Sequence, residues 1–345
     1  MTESLFAIYG AYGHTGRLVA AELRDRGAEL LLVGRNPEAL RTLAVELDAG
    51  DQVRTRTASV DDAAALRDVM TAADVVIQCA GPFAVTGAPV AKAAAEAGCH
   101  YIDHALEPHH VKGVFDSAQA SAQRTGAVMV PSLSFYGGLG DLLAGAVADG
   151  IADIDRIVVA YAVNGWRLTT GAKNTATHLF AETERLTFSD GTLHTGYVEP
   201  RNAIFPFPPP LGPRTMIAPF PSSEVVTLPR HVPARNVDLM LSTSAFEAKE
   251  AFESEHIGAA DRAATDFTIA VQVMGEGGSA AGQLTGHDLW RAGALASVEG
   301  AVRIAEGRGP AKTGVIAPGE AFPAEPFLRE LERQGAFTLT LRGEG

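Results

Sequence analysis

Three side chains stand where they could act on a reacting atom: Tyr136 in a glycine-rich bend, His104 after a short apolar strand, and Lys173 beside Asn174. A phenol can hydrogen-bond a carbonyl or imine as charge develops on it, an imidazole titrates near neutral pH, and an ammonium can hold an anionic group. Each also has an ordinary reading. Tyr136 can be an amphipathic residue packed at a domain seam, His104 can bond a nearby backbone group, and Lys173 can be a solvated lysine of a loop over 167–177. Such groups assist a reduction only where a cofactor brings the hydride.

The opening of the chain supplies a place for one. The apolar run Leu5 to Tyr9 leads into Gly10-Ala11-Tyr12-Gly13-His14-Thr15-Gly16 and then into a helical pattern, Arg17 to Arg26. Strand, glycine turn and helix start in that order form a phosphate-binding element. Gly10 permits the tight turn, Gly13 lets the backbone approach a pyrophosphate, Gly16 allows close helix packing, and the helix N-terminus offers oriented N–H groups.

The end of the next strand, Leu30 to Val33, selects the dinucleotide. An NAD site places an acid there for the ribose 2′-hydroxyl, whereas this chain reads Gly34-Arg35-Asn36. The Arg35 guanidinium can grip a 2′-phosphate through two parallel N–H bonds, and Asn36 can cap the helix that starts at Pro37 while facing the same phosphate. The expected cofactor is NADP(H).

Those residues need a parallel sheet to hold them. Through residue 150 short apolar strands (Leu5–Tyr9, Leu30–Val33, Gln52–Arg56, Asp74–Cys79, His100–Asp103, Ala127–Val130) alternate with amphipathic helices, the pattern of an α/β sheet covered on both faces. Gly27 ends the first helix, Asp61 caps the third, Gly98 ends the fourth and Gly126 precedes the last strand. Cys79 and Cys99 then fall at opposite ends of the sheet, roughly 15 Å apart, as free thiols. Cys79 lies near the cofactor by position, though a small strand-end residue is its ordinary role.

Beyond Asp149 the strand-like stretches Ile157–Val163, Arg185–Phe188, Val225–Leu228, Val237–Ser242 and Thr265–Met274 predict a second domain, 151–284, on a largely antiparallel sheet. The segment Ile204 to Pro221, with Arg214 its only charge, reads as a packed polyproline-like connection or else as a lid or dimer contact. A helix from His287 or Asp288 to about Glu306 returns to the first domain, which 285–345 completes.

Of 345 residues, 46% are hydrophobic, enough for two domains, and the formal charge of -13 opposes a sequence-independent grip on nucleic acid or anionic lipid. No apolar run approaches about 20 residues and no secretory signal is visible, which points to the cytosol. None of the six tyrosines has a lysine four residues on, which weakens a short-chain carbonyl reductase. His104, Glu107, His109 and His110 offer metal-ligand types, but Pro108 interrupts a common helical face and no His-Glu-x-x-His is present, so no metal is expected. The run 309–314 lacks the glycine spacing of a phosphate loop.

At the glycine turn, Gly34-Arg35-Asn36, Gln78-Cys79-Ala80-Gly81-Pro82-Phe83 and Ala97-Gly98-Cys99-His100-Tyr101-Ile102-Asp103, the chain resembles the saccharopine dehydrogenase-like family, with saccharopine reductases and trans-acting enoyl reductases among its members. The likeness runs weakly through Thr285-Gly286-His287-Asp288 and Gly314-Val315-Ile316-Ala317-Pro318. It implies a doubly wound Rossmann domain followed by a substrate and dimerisation domain. It also places Gly81-Pro82-Phe83 along the pyrophosphate and nicotinamide ribose, and Asp61 beside the adenine. The chain departs from the family at Asp103-His104-Ala105-Leu106-Glu107 and at Ser134 to Asp141, where Tyr136 replaces an acid, so a saccharopine-type substrate does not carry over.

Together these readings lead to an NADPH-dependent oxidoreductase acting on a conjugated C=C or C=N bond of a small or medium organic substrate, as a homodimer. A saccharopine-like diacid would need more cations than Arg167, Lys173, Arg185, Arg201, Arg214, Arg230 and Arg235 provide. The alternative is an NADP-binding sensor without turnover, similar to NmrA-type regulators.

Overall fold

The computed structural model describes residues 4–48, 50–181, 183–247 and 257–344, so Glu182 and 248–256 of the expected second domain lie outside the described residues. The chain divides into two compact units, Met1–Ala105 with His109–Ser134 and Gly293–Ile316, and Leu106–Pro108 with Phe135–Ala292 and Ala317–Gly345.

The first unit is a seven-stranded sheet. Its strands are β1 (Leu5–Tyr9), β2 (Glu29–Gly34), β3 (Val53–Thr57), β4 (Val75–Gln78), β5 (His100–Asp103), β6 (Val128–Val130) and a late β15 (Gly314–Val315). They lie in the order β15-β6-β5-β4-β1-β2-β3, and every pairing is parallel. β1 and β4 are buried along their whole length, as a sheet covered on two faces requires. β3, Val-Arg-Thr-Arg-Thr, is mostly exposed and closes one edge with charged side chains. The order reverses between β1 and β4, so the loops leaving those strands face one another across the crevice where such folds bind ligands.

The helices are α1 (His14–Asp25), α2 (Pro37–Leu47), α3 (Ala63–Ala72), α4 (Phe83–Ala97) and α5 (Pro108–Thr125). Asn36 caps α2 as its type and place suggest. For α3 the cap is Asp62, not Asp61: the Asp62 carboxylate accepts from the Ala65 N–H at 3.0 Å, the reach a cap has to its third helical residue. Gly98 ends α4 in the left-handed region. The returning helix spans Leu289–Ala305, and its residues from Gly293 belong to the first unit. β15 follows it and was not legible, because two residues carry no periodicity.

The second unit is a nine-stranded sheet. Its strands are β7 (Ile154–Asn164), β8 (Arg185–Ser189), β9 (Thr192–Gly196), β10 (Arg201–Pro206), β11 (Pro213–Ala218), β12 (Ala234–Ser242), β13 (Asp266–Gly275), β14 (Gly278–His287) and β16 (Thr338–Glu344). β12 and β7 are parallel and the remaining pairings antiparallel, so the sheet is mixed but largely antiparallel. The tail expected with the first domain instead supplies β16, which pairs with β14.

Three local expectations are corrected. Val225–Leu228 is a helical turn, Glu224–Thr227, running into a 3-10 turn at Leu228–Arg230, because Pro221 and Pro229 bracket a stretch too short for a ladder and its polar neighbours hold it. The segment 204–221 contains a β-hairpin: β10 and β11 pair from Arg201↔Ala218 to Pro206↔Pro213. Its prolines sit at strand ends and in the connection, where a missing N–H costs nothing. The supposed loop 167–177 is mostly helix, Thr170–Ala181. Among the described residues no helix is long and apolar enough to cross a membrane.

One buried carboxylate ties the first unit together. Asp103, at the end of β5, accepts from the Tyr101 hydroxyl at 2.8 Å, the His110 ring at 3.0 Å, the Ala105 N–H at 3.0 Å and the Ser132 N–H at 2.7 Å. Burial pushes its pKa up, but the His110 hydrogen bond and charge and the two backbone N–H groups outweigh that and hold it below the usual carboxylate range. A lowered folded pKa means this stabilisation is full above the unfolded value, about 3.9, and is lost as pH falls through the still lower folded one. Asp103→Ala strands those buried donors and should cost about 3–5 kcal/mol of stability at pH 7 in urea denaturation; a loss within 0.5 kcal/mol of zero contradicts this role.

Candidate functional site

In the first unit the chain turns sharply out of β1. Gly10 takes φ +81° and donates its N–H to the Val33 carbonyl at 2.8 Å. A Cβ on Gly10 would stand 2.7 Å from the Ala80 Cβ, so the loops after β1 and β4 touch. A Cβ on Gly16 would meet the Gly10 carbonyl at 2.3 Å, which lets α1 start hard against the turn. α1 begins with no side-chain cap and no acid in its first turn, leaving its N-terminal amides to an anion. Glycines at positions that exclude a Cβ and an uncapped helix start fit a dinucleotide pyrophosphate.

Around this turn the structure gathers the other expected residues of the strand ends. The Tyr12 ring lies over Gly34, where a Cβ would come within 2.6 Å of it. Arg35 is exposed and among the described residues makes no ion pair. The Asn36 side chain accepts from the Glu38 and Ala39 N–H groups at 3.0 and 3.2 Å, so its oxygen is engaged as a cap. Burial pushes the Tyr9 phenol up to about 12, with Tyr12 and Asp61 adding to the rise and Arg35 opposing it, so these groups share one corner. Arg35 is the cation a 2′-phosphate would meet there.

Across the crevice the turn Cys79-Ala80-Gly81-Pro82 is pinned by two residues that sequence reading passed over. The Gln78 carboxamide accepts from the Ala80 N–H at 3.0 Å and donates to Thr86 Oγ1 at 3.3 Å, and the Thr86 hydroxyl bonds the Ala80 carbonyl. The signal was a glutamine, wholly buried, inside the apolar run of β4. Burial, then Asp103, pushes the Cys79 thiol far up, so it is an inert thiol, and Cys79 and Cys99 are both free. Phe83 opens α4 and packs on His110 with ring centroids 5.7 Å apart.

His104 directly follows β5. Burial pulls its pKa down to about 4, against a smaller opposite effect of Asp103, and its Nε2 lies 2.9 Å from the Ser297 hydroxyl, a side chain of the returning helix rather than the nearby backbone group expected. Among the described residues no group of three or more His, Cys, Asp or Glu could hold a metal.

In the second unit Tyr136 precedes α6 (Gly138–Ala148), with Gly137 at φ +84° between them. Part of the residue is exposed, yet its hydroxyl is buried and among the described residues has no hydrogen-bond partner. Rings surround it: Phe135 at 4.9 Å, Tyr161 at 5.0 Å, Phe220 at 5.5 Å and Trp166 at 6.3 Å between centroids. Burial pushes the Tyr136 pKa well up, so it stays a donor and never a phenolate. A buried hydroxyl left unsatisfied costs about 1–3 kcal/mol, which makes Tyr136 a candidate to meet an acceptor atom. Lys173 lies half-buried on the helix Thr170–Ala181, and Asn174 beside it is exposed.

Behind Tyr136 lies a polar group absent from the sequence reading. The Tyr161 hydroxyl accepts from the Gly137 N–H at 3.3 Å and donates to Glu224, whose other oxygen accepts from Ser222. Burial pushes Glu224 up to about 7. Asp141 receives the His231 ring at 3.0 Å and the Gly319 N–H at 2.6 Å on one oxygen, while among the described residues its buried second oxygen has no partner. A lone charge in the otherwise uncharged run 219–228 was the available clue for Glu224.

The seven-stranded sheet and its glycine turn define a dinucleotide-binding α/β protein. Residues 6–130 match the family model for the saccharopine dehydrogenase NADP binding domain. A probable mitochondrial saccharopine dehydrogenase-like oxidoreductase of Arabidopsis thaliana is 33% identical over 141 residues, 37% of this chain and 31% of that one. A trans-acting enoyl reductase of Mycobacterium ulcerans is 33% identical over 137 residues, 39% of this chain and 32% of that one. These matches span about a third of the curated relatives' length. The solved apo saccharopine dehydrogenase (L-Glu forming) of Saccharomyces cerevisiae covers 99% of this chain and 100% of its own, with a TM-score of 0.64 at 13% identity, which is a likeness of fold. Residues 6–130, within the first unit, are thus similar to the NADP binding domain of saccharopine dehydrogenases.

Because Arg35 is a cation where the ribose is read and no carboxylate replaces it, Arg35→Ala should weaken NADPH more than NADH, by about 1.5–3 kcal/mol. Calorimetric titration of both cofactors checks this, and equal losses contradict it.

Proposed function

We propose that the chain is an NADPH-dependent reductase that passes hydride to a conjugated C=C or C=N bond of a small or medium organic acceptor. NADPH supplies the hydride when bound; the protein must receive the charge that the acceptor gains. The observation that carries the reading is the buried, unpartnered Tyr136 hydroxyl inside its ring of aromatic side chains. As hydride adds to carbon, negative charge appears on the imine nitrogen or on the oxygen conjugated with the C=C bond. Tyr136 donates its O–H to that atom, and a proton from solvent completes the product. The aromatic ring box excludes water and strengthens that hydrogen bond.

The names of the relatives, a saccharopine dehydrogenase-like oxidoreductase and a trans-acting enoyl reductase, support a reduction, and the second supports the C=C bond. NADPH oxidation measured against enoyl, imine and keto compounds tests the choice. On the acceptor so identified, Tyr136→Phe keeps the ring and should lower turnover by about 10- to 1000-fold with NADPH affinity unchanged. Full turnover in that variant overturns the assignment of Tyr136.

A homodimer built through the second unit belongs to the same reading. Ile204, 75% exposed on the edge strand β10, and a groove lined by Phe205, Pro206, Ala270 and Thr340 present apolar surface for a second copy. Light scattering at micromolar concentration should give twice the 36.1 kDa of one chain, and a monomer contradicts it.

A further inference from the structure

The geometry points to Glu224 as a positioning residue that holds a proton behind Tyr136: Tyr161 ties the Glu224 carboxyl to the Tyr136–Gly137 backbone, and loss of that proton sets a negative charge against the site where Tyr136 receives the acceptor. This rests on the reading of Tyr136 given above.

Four observations build the device. The Gly137 N–H, one residue from Tyr136, donates to the Tyr161 hydroxyl at 3.3 Å, and that hydroxyl donates to Glu224. The Tyr136 and Tyr161 rings are 5.0 Å apart. Glu224 is wholly buried, and among the described residues its carboxyl meets the hydroxyls of Tyr161 and Ser222 and its own backbone N–H. Finally, α6 presses directly on the pair: a Cβ on Gly140 would lie 2.4 Å from the Tyr161 hydroxyl and 2.6 Å from a Glu224 oxygen, so any larger residue would push them apart.

A buried carboxyl held by two hydroxyls and its own backbone N–H is poorly compensated when ionised, and burial pushes its pKa up to about 7. The groups facing it act in both directions. Ser222 and Tyr161 favour the carboxylate through hydrogen bonds, whereas the Asp141 charge on α6 disfavours it. Asp141 is itself paired with His231; burial lowers the His231 pKa, but Asp141 and Glu320 raise it on balance. While Glu224 is neutral its O–H donates to one of the two hydroxyls, Tyr161 or Ser222, which then accepts rather than donates, and Tyr136 sees no net charge from this carboxyl. Once it ionises, a second negative charge in the same dry pocket opposes the one forming on the acceptor.

Two measurements on the full chain test this. A pKa raised on folding makes the neutral carboxyl's stabilisation full below its unfolded value, about 4.3, and lost as pH rises through about 7. Urea denaturation of wild type and Glu224→Gln should therefore show wild type losing ground to the variant between pH 5 and pH 8. A difference that stays constant over that span overturns the proton assignment, whether or not an acceptor is known. With the acceptor in hand, wild-type kcat should fall about tenfold per pH unit above the Glu224 pKa while KM for NADPH holds, and Glu224→Gln should keep its kcat flat there. If the alkaline limb persists in Glu224→Gln, His231 or another group titrates and the link to Tyr136 is overturned. Gly140→Ala should disturb the pair and shift the limb, and an unmoved limb counts against the proposal. Full turnover in Tyr136→Phe overturns the underlying reading of Tyr136 instead, which the denaturation series does not depend on.

Discussion

The buried Asp103 carboxylate is the constraint on which the first unit depends. Its four donors come from β5 itself, from the turn after it, from the end of β6 and from His110 of α5. His110 in turn fills the space beside Gly87 of α4, where a Cβ would lie 2.1 Å from its ring, and packs on Phe83. The path therefore runs from a carboxylate at a strand end, through an imidazole, to the helix that begins directly after the Cys79–Pro82 turn. Gln78 and Thr86 fix the other side of that turn, and Gly10 leaves just enough room for Ala80 to approach. The turns after β1 and β4 are thus braced by buried polar contacts and by glycines whose places exclude a Cβ.

The second unit uses polar burial differently. In the first, every Asp103 contact is satisfied and the carboxylate is stabilised; around Tyr136 the aromatic rings are packed closely but the hydroxyl is left over. An unsatisfied donor among well-packed rings is unfavourable for folding alone, which is the pattern expected where a ligand atom completes the site. Glu224 and Asp141 add two more buried acids near it, of which one is held by a histidine and the other by hydroxyls.

Much of the first unit was legible in the sequence because strands buried on both faces write unbroken apolar runs, and because Gly10, Gly16 and Asn36 perform roles that few other residues can fill. The boundaries that went astray have local causes. Asp61 and Asp62 are both capping residues, and only geometry distinguishes them. Val225 and Val226 have strand propensity, but prolines and the Glu224 contacts override it. The hairpin 201–218 was hidden because its prolines read as breakers, although each sits where a ladder hydrogen bond is not required. Tyr161 and Glu224 were invisible as a pair for a different reason: their meeting depends on the sheet and on Gly140, not on their spacing along the chain.

The proposed reduction moves hydride from NADPH to an acceptor that Tyr136 receives. NADPH carrying deuterium at the transferable C4 position, followed by mass spectrometry of the reduced product, tests it most directly. The account predicts one deuterium on the acceptor carbon for each NADPH consumed. Tight NADPH binding with no label reaching any enoyl, imine or keto acceptor would contradict it and leave a cofactor-binding protein without turnover.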